Sequence, residues 1–140
     1  MQTFLPYSSF TESAKVLDMK RLGKQRVETM QIMNALLTPN HGWKNHPAVK
    51  MWRGHENTLF QYQIAICSEW TSRGYKDTCL EKTRAIVAGN VTPCDDTPEW
   101  LGNEDLHLSH RSNLVRKLPD VYGKVWDVPD DLPYVWPVGE

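Results

Sequence analysis

Between Asp18 and Pro39 the chain carries its longest uninterrupted helical signal, and that stretch constrains the fold more than any other. Asp18 is an acceptable N-cap, the run to Leu37 contains no proline, and Pro39 in the loop TPNHG closes it. Placed at 100° intervals, Met19, Leu22, Met30, Met33 and Leu37 share one arc, which predicts the core face. The opposite arc collects Arg21, Lys24, Gln25, Glu28 and Gln31 as a polar stripe. Arg26 falls among the apolar positions, where an unpaired guanidinium is costly, so it is expected to reach a buried partner or the mouth of a site.

The remaining segments also read as helices. Ser8 or Ser9 caps TESAKVL, with Glu12 placed as in a capping box. A third helix is expected from His46-Pro47 through Trp52, Leu59, Phe60 and Ile66 to Trp70, ended by Gly74 and kinked at Gly54. A fourth runs from Asp77 to Gly89, then the irregular stretch NVTPCDDTPEW leads to a helix from Asn103 to Leu118 that Pro119 stops. A short helical turn follows around Val121 to Val125. The tail DVPDDLPYVWPVGE must be extended, because each proline removes a donor and restricts its predecessor, and Tyr134 and Trp136 are expected to pin it to the body. With no β-alternation and no repeat, the expected fold is all-α: a single compact helical domain spanning residues 1–140, with an extended Pro-rich C-terminal tail.

Composition excludes several classes of protein. No stretch approaches the ~20 apolar residues of a membrane span, and MQTFLPYSSF lacks the basic start and apolar run of a signal peptide, so a cytoplasmic protein without membrane contact is expected. Cys67, Cys79 and Cys94 are odd in number, widely spaced and without a C-x-x-C pair, which predicts reduced, partly buried thiols rather than disulfides or a zinc site. The net charge of -1 hides a polarity: residues 1–53 carry eight Lys or Arg against three Asp or Glu, and residues 95–140 carry four against ten. A basic first third can supply phosphate contacts even in a slightly acidic molecule.

Three clusters of residues could carry chemistry. Glu28, flanked by Arg21 and Lys24 one turn away, is expected to be an anion able to stabilise a developing sugar cation or shuttle protons. The same spacing also describes ordinary ion pairs on a wet helix surface. The segment NHGWKNHPAVKMWRGHEN interleaves His41, His46, His55, Lys44, Lys50 and Arg53 with Trp43 and Trp52, a mixture that can bind phosphates and stack bases, although the helical spacing of Trp52 with Leu59 favours a core role for that tryptophan. In LHLSHRSNLVRK, His107 and His110 have a spacing that a metal could use, but no further ligand pattern supports one; His110, Arg111, Arg116 and Lys117 read better as a second phosphate-binding edge.

The segments RLGKQRVE, HPAVKMWRGHEN leading into a helix that ends SEWTSRGY, and HRSNLVRK together resemble the phage-type pyrimidine-dimer DNA glycosylases of the endonuclease V repair family. The beginning MQTFLPY and the end DVPDDLPYVWP resemble the bacterial branch of that family. The resemblance implies a helical domain whose N-terminal α-amine attacks C1′ of the damaged nucleotide, forms a Schiff base with the opened sugar and permits β-elimination of the 3′ phosphate. An α-amine suits that role because such amines titrate near ~7.7 and are substantially neutral at working pH. Carried over by position, Glu28 is the assisting glutamate, Arg21 takes the place of a DNA-contacting histidine, and Arg116 or Lys117 that of a late basic residue near the DNA. Gln2 is too bulky to allow removal of the preceding methionine, so Met1 supplies the amine, one residue displaced from the family position.

The resulting expectation is a DNA glycosylase with AP-lyase activity on damaged or modified pyrimidines, monomeric on double-stranded DNA and needing no metal or other cofactor. Met1 and Glu28 are its catalytic groups, and Arg21, Lys24, Gln25, Arg26, His46, Arg53, His110, Arg111, Arg116 and Lys117 its DNA contacts. Two alternatives stand beside it. One is a module that binds modified DNA without imine chemistry, and the other is a nucleotide-acting transferase or hydrolase using Glu28 with His46 or His110.

Overall fold

The computed structural model describes residues 1–89 and 97–138, and Cys94 lies outside the described residues. Among the described residues the chain forms seven helices and no strand. Ser9 caps α1 (Phe10–Val16) by accepting from the Glu12 N–H, and Asp18 caps α2 (Met19–Leu37) by accepting from Arg21 N–H, as the sequence signals predict. Asn103 caps α6 (Glu104–Lys117), which ends before Pro119.

The third helix differs from its expectation. It is two elements, α3 (Pro47–Lys50) and α4 (Glu56–Ser72), separated by turns in which Gly54 takes φ +84°. A left-handed residue ends a helix rather than bending it, and only glycine adopts that backbone without strain. Two smaller corrections concern helix ends. The fourth helix, α5 (Cys79–Val87), starts later than expected because the Asp77 carboxylate accepts from the N–H groups of Cys79 and Leu80 and so stands outside it. The last turn, α7 (Pro119–Tyr122), lies earlier than Val121–Val125, since Pro at the first helical position initiates it.

The helix α2 is the centre of the molecule and packs against α3, α4 and α5, while α1 lies on α4 and α7 on α6. Leu22, Ile32, Met33, Trp52, Leu59, Tyr62, Ile66, Leu106 and Leu114 are fully buried. The buried face of α2 is rotated from the predicted arc: Met19 is 52% exposed, whereas Gln25 and Thr29 are fully enclosed. The cause lies in the first residues of the chain. Thr3, Phe4 and Leu5 are buried and run as an extended segment across α2, covering the side of the helix that carries Gln25.

An extended segment buried away from a sheet must find other partners for its backbone. Here side chains supply them. Phe4 N–H donates to Gln25 Oε1 (3.0 Å), Leu5 N–H to His110 Nδ1 (2.8 Å) and Tyr7 N–H to Ser13 Oγ (3.1 Å), while Arg111 donates to the Pro6 carbonyl (2.8 Å). The C-terminal tail is fastened in the same way. Leu132 N–H donates to Ser112 Oγ, Val135 N–H to Ser109 Oγ, and Asn113 Nδ2 to the Leu132 carbonyl. The polar residues of α6 therefore hold both ends of the chain, and Tyr134 and Trp136 pack on the core as expected.

Cys67 and Cys79 are free buried thiols, and burial, reinforced by Asp77, pushes the Cys67 thiol well above the ordinary range. No described helix is long and apolar enough to cross a membrane.

Candidate active site

Where the N-terminal segment emerges over α2, it opens a cleft of about 390 Å³. Met1, Gln2 and Phe4 form one wall, Lys20, Arg21, Lys24, Gln25 and Glu28 of α2 the floor, and Lys117 and Tyr134 the far side. Three of these lie on one α2 stripe because residues three and four apart share a helix face, which places Arg21, Lys24 and Glu28 together.

The buried amide of Gln25 joins the two catalytic candidates. Its Nε2 donates to Glu28 Oε2 (2.9 Å) and to the Gln2 carbonyl (2.9 Å). Its Oε1 accepts from Phe4 N–H, and Tyr62 Oη lies 2.8 Å from it. The amide cannot be turned over, since the Gln2 carbonyl only accepts and the Phe4 N–H only donates. One side chain therefore orients the Glu28 carboxylate and fixes the Gln2–Thr3 peptide, one residue from Met1. Burial raises the Tyr62 phenol well above its ordinary value, with the Glu28 charge acting in the same direction. Tyr134 is also raised, by burial first; Arg116 and Arg21 oppose the shift and Glu28 adds to it. Both phenols therefore stay neutral, and Tyr62 serves as a donor within the Gln25 and Phe4 network.

His46 stands near the same end of the molecule. Its Nδ1 accepts from Ala48 N–H at 3.0 Å, capping α3, and its ring meets Trp136 edge-on at 6.2 Å. Burial lowers its pKa, and the N-terminal ammonium lowers it further, which puts the α-amine within electrostatic reach of the imidazole.

The structure thus brings together Met1, Arg21, Lys24, Gln25, Glu28 and Lys117, and disperses the other expected site residues. Gln25 and His110, expected as DNA contacts, are 0% and 1% exposed: the N-terminal segment covers both, and their polar atoms serve its backbone. Arg26 points away from the cleft, paired with Asp77 at 2.8 Å and stacked 4.3 Å from the Trp70 ring, which is the buried partner its place on the apolar arc requires. Arg111 is taken up by the Pro6 carbonyl and Glu104. Arg116 is exposed and directed to Asn113 and the Asp130 carbonyl, and Arg53 is exposed with its guanidinium on the Lys44 carbonyl (3.0 Å).

Of the aromatic residues near the basic loop, Trp52 is fully buried with Nε1 donating to Thr3 Oγ1, whereas Trp43 is 47% exposed. His107 and His110 are both engaged by Leu5, and no group of metal-ligating residues occurs among the described residues. Sequence reasoning missed Lys20, Gln2, Phe4 and Tyr134 as cleft residues. Lys20 follows from helical neighbourhood, but the other three depend on the paths of the two chain ends.

A family model for pyrimidine dimer DNA glycosylases matches residues 1–83, which include the N-terminal wall, the α2 floor and helices α1 to α4. No curated protein and no solved structure matches the chain. With more than half of the sequence matched and a helical domain built around an N-terminal cleft, the chain belongs to the pyrimidine dimer DNA glycosylase family.

Proposed function

We propose that this DNA glycosylase acts on damaged pyrimidines in duplex DNA through the α-amine of Met1, with Glu28 as acid and base and with an accompanying AP-lyase step. The observation that carries this reading is the Gln25 amide, which ties Glu28 and the backbone beside Met1 into one unit within a single basic cleft.

In the first step the amine lone pair forms a bond to C1′, and the glycosidic electrons leave with the base, which takes up a proton. Opening of the sugar ring leaves a protonated imine between Met1 and C1′. The Glu28 carboxylate then removes a proton from C2′, and the electrons shift to break the C3′–O bond and expel the 3′ phosphate. Its negative charge also stabilises the cationic sugar that develops as the base departs. Arg21, Lys24 and Lys117, with Lys20, face the cleft and suit the phosphates on either side of the extruded nucleotide. The exposed Arg53 and Arg116, though outside the cleft, are free to meet phosphates farther along the duplex, and a monomer suffices for this contact.

The test is borohydride trapping on duplex DNA carrying a cyclobutane pyrimidine dimer or an abasic site. The expected product is a covalent adduct that peptide mapping assigns to the Met1 amine. Absence of an adduct on both substrates, from protein shown by mass spectrometry to have a free Met1 amine and shown to bind the DNA, would overturn imine chemistry and leave a module that binds modified DNA.

A further inference from the structure

Two deeply buried histidines near the cleft have no part in the chemistry proposed above, yet both act on one residue of the N-terminal segment. Leu5 N–H donates to His110 Nδ1 at 2.8 Å, and the Leu5 carbonyl oxygen lies 2.8 Å from His107 Nδ1. Gly102 N–H donates to the other nitrogen of His107, Nε2, at 3.0 Å. These contacts determine both tautomers. His110 accepts at Nδ1 and carries its proton on Nε2, whereas His107 accepts at Nε2 and carries its proton on Nδ1, from which it donates to Leu5. Two neutral imidazoles of opposite tautomer, three residues apart on one face of α6, thus grip both backbone groups of a single residue.

The grip also reaches the cleft through side chains. The His110 ring meets Phe4 edge-on at 6.2 Å and Tyr134 edge-on at 5.6 Å, and both of those rings line the cleft. His107 and His110 are 2% and 1% exposed, so neither is reachable by DNA. Burial holds His110 at about 3, with His107 contributing in the same direction, which keeps the ring neutral and able to accept from Leu5 at working pH. Both residues lie outside the part of the chain that the family match covers.

We propose that His107 and His110 are positioning residues that fix the register of the N-terminal segment, and through it the place of the Met1 α-amine in the cleft with Glu28. Register matters because one residue of extended chain spans about 3.3 Å, so a slip by one position carries the amine well beyond bonding reach of C1′. A misplacement of about 1 Å can already cost about 100-fold in rate. For its catalytic consequence, the inference rests on the reading of the Met1 amine as nucleophile.

The test compares wild type with His110→Leu, which removes the acceptor, and His110→Asn, whose amide oxygen can replace Nδ1. Ile66→Val, in α4, serves as a core truncation that removes none of the hydrogen bonds of the N-terminal segment. Two kinds of measurement are made on each protein well below its melting temperature. One is the single-turnover rate of borohydride trapping on abasic duplex DNA, alongside Kd for the same DNA. The other is the NMR titration midpoint of His46, which burial lowers and the N-terminal ammonium lowers further.

His110→Leu is expected to slow trapping by about 100-fold with Kd unchanged, and to raise the His46 midpoint as the ammonium moves away. His110→Asn should recover most of both, and Ile66→Val should change neither. Should His110→Leu fail to fold, His107→Ala replaces it, with the same expectations. A folded variant lacking the grip that traps at the wild-type rate and keeps the wild-type His46 midpoint would overturn the proposal. So would a His110→Asn variant as impaired as the leucine variant. If wild type itself forms no adduct, the imine reading fails, and the positioning role stands or falls on the His46 midpoint alone.

Discussion

Gln25 shows how a residue in a polar stripe can belong to the interior. All of its hydrogen-bonding capacity is used, with Glu28, Gln2 and Phe4 as partners and Tyr62 beside it, so it costs little to bury and specifies a single arrangement of its neighbours. Gln25→Leu should therefore lower stability by about 2 kcal/mol, because the Phe4 N–H is left without its acceptor. It should also reduce trapping more than DNA binding, as measured by urea unfolding and by Kd. Glu28→Gln is expected to abolish turnover with little loss of affinity for DNA, since the cations of the cleft remain. Full activity in that variant would remove Glu28 from the mechanism. Both residues were legible in the sequence, but only as members of one stripe. The distinction between an acid facing the cleft and an amide beneath it depends on where residues 2–5 lie, which helical spacing does not encode.

At the scale of elements, the junctions rather than the helices carry the information. Asp77 caps α5 and pairs with Arg26 of α2, so one carboxylate joins two helices, and those interactions hold it below the ordinary carboxylate range against the opposing effect of burial. Asp77→Ala leaves a mostly buried guanidinium without a partner and should cost about 3 kcal/mol in urea unfolding. Asp77→Asn, which keeps an acceptor for the cap, should cost less. Helix α6 carries a different lesson. His107, His110 and Arg111 serve the N-terminal segment, and Ser109, Ser112 and Asn113 serve the tail, so a helix with the composition of a DNA-binding edge spends most of its polar residues on fastening both chain ends, and Lys117 at its end reaches the cleft. A polar helix residue whose partner is backbone far away in the chain looks, in a sequence, the same as one facing water.

For the whole molecule, charge and pH provide the tests. Arg21 and Lys24 together should account for about two phosphate contacts, so replacing both with Ala should weaken DNA binding and flatten the slope of log K against log salt by about 2. An unchanged slope would move the DNA surface elsewhere. The buried His110 makes stability depend on pH. Its pKa is about 3 in the folded protein against an ordinary 6.5, so between those values the unfolded chain binds the extra proton and the fold is weakened as pH falls. Its contribution is full above about 6.5 and is lost progressively toward about 3, at up to ~1.4 kcal/mol per pH unit. Urea unfolding at pH 7 and pH 5 should therefore show a larger loss for wild type than for His110→Asn. The all-α class, a serine cap at Ser8 or Ser9, the caps at Asp18 and Asn103, the breaks at Pro39 and Pro119, and the basic stripe around Glu28 follow from the sequence alone, because they rest on interactions between residues a few positions apart. The burial of residues 2–5, the use of His107 and His110 as a backbone grip, the engagement of Arg26 by Asp77 and of Arg111 by Pro6 and Glu104, and the arrival of Tyr134 in the cleft were decided by tertiary structure. Each depends on contacts between segments far apart in the chain, most of them set by the need to satisfy the buried backbone of the two chain ends, and no local periodicity reports that need.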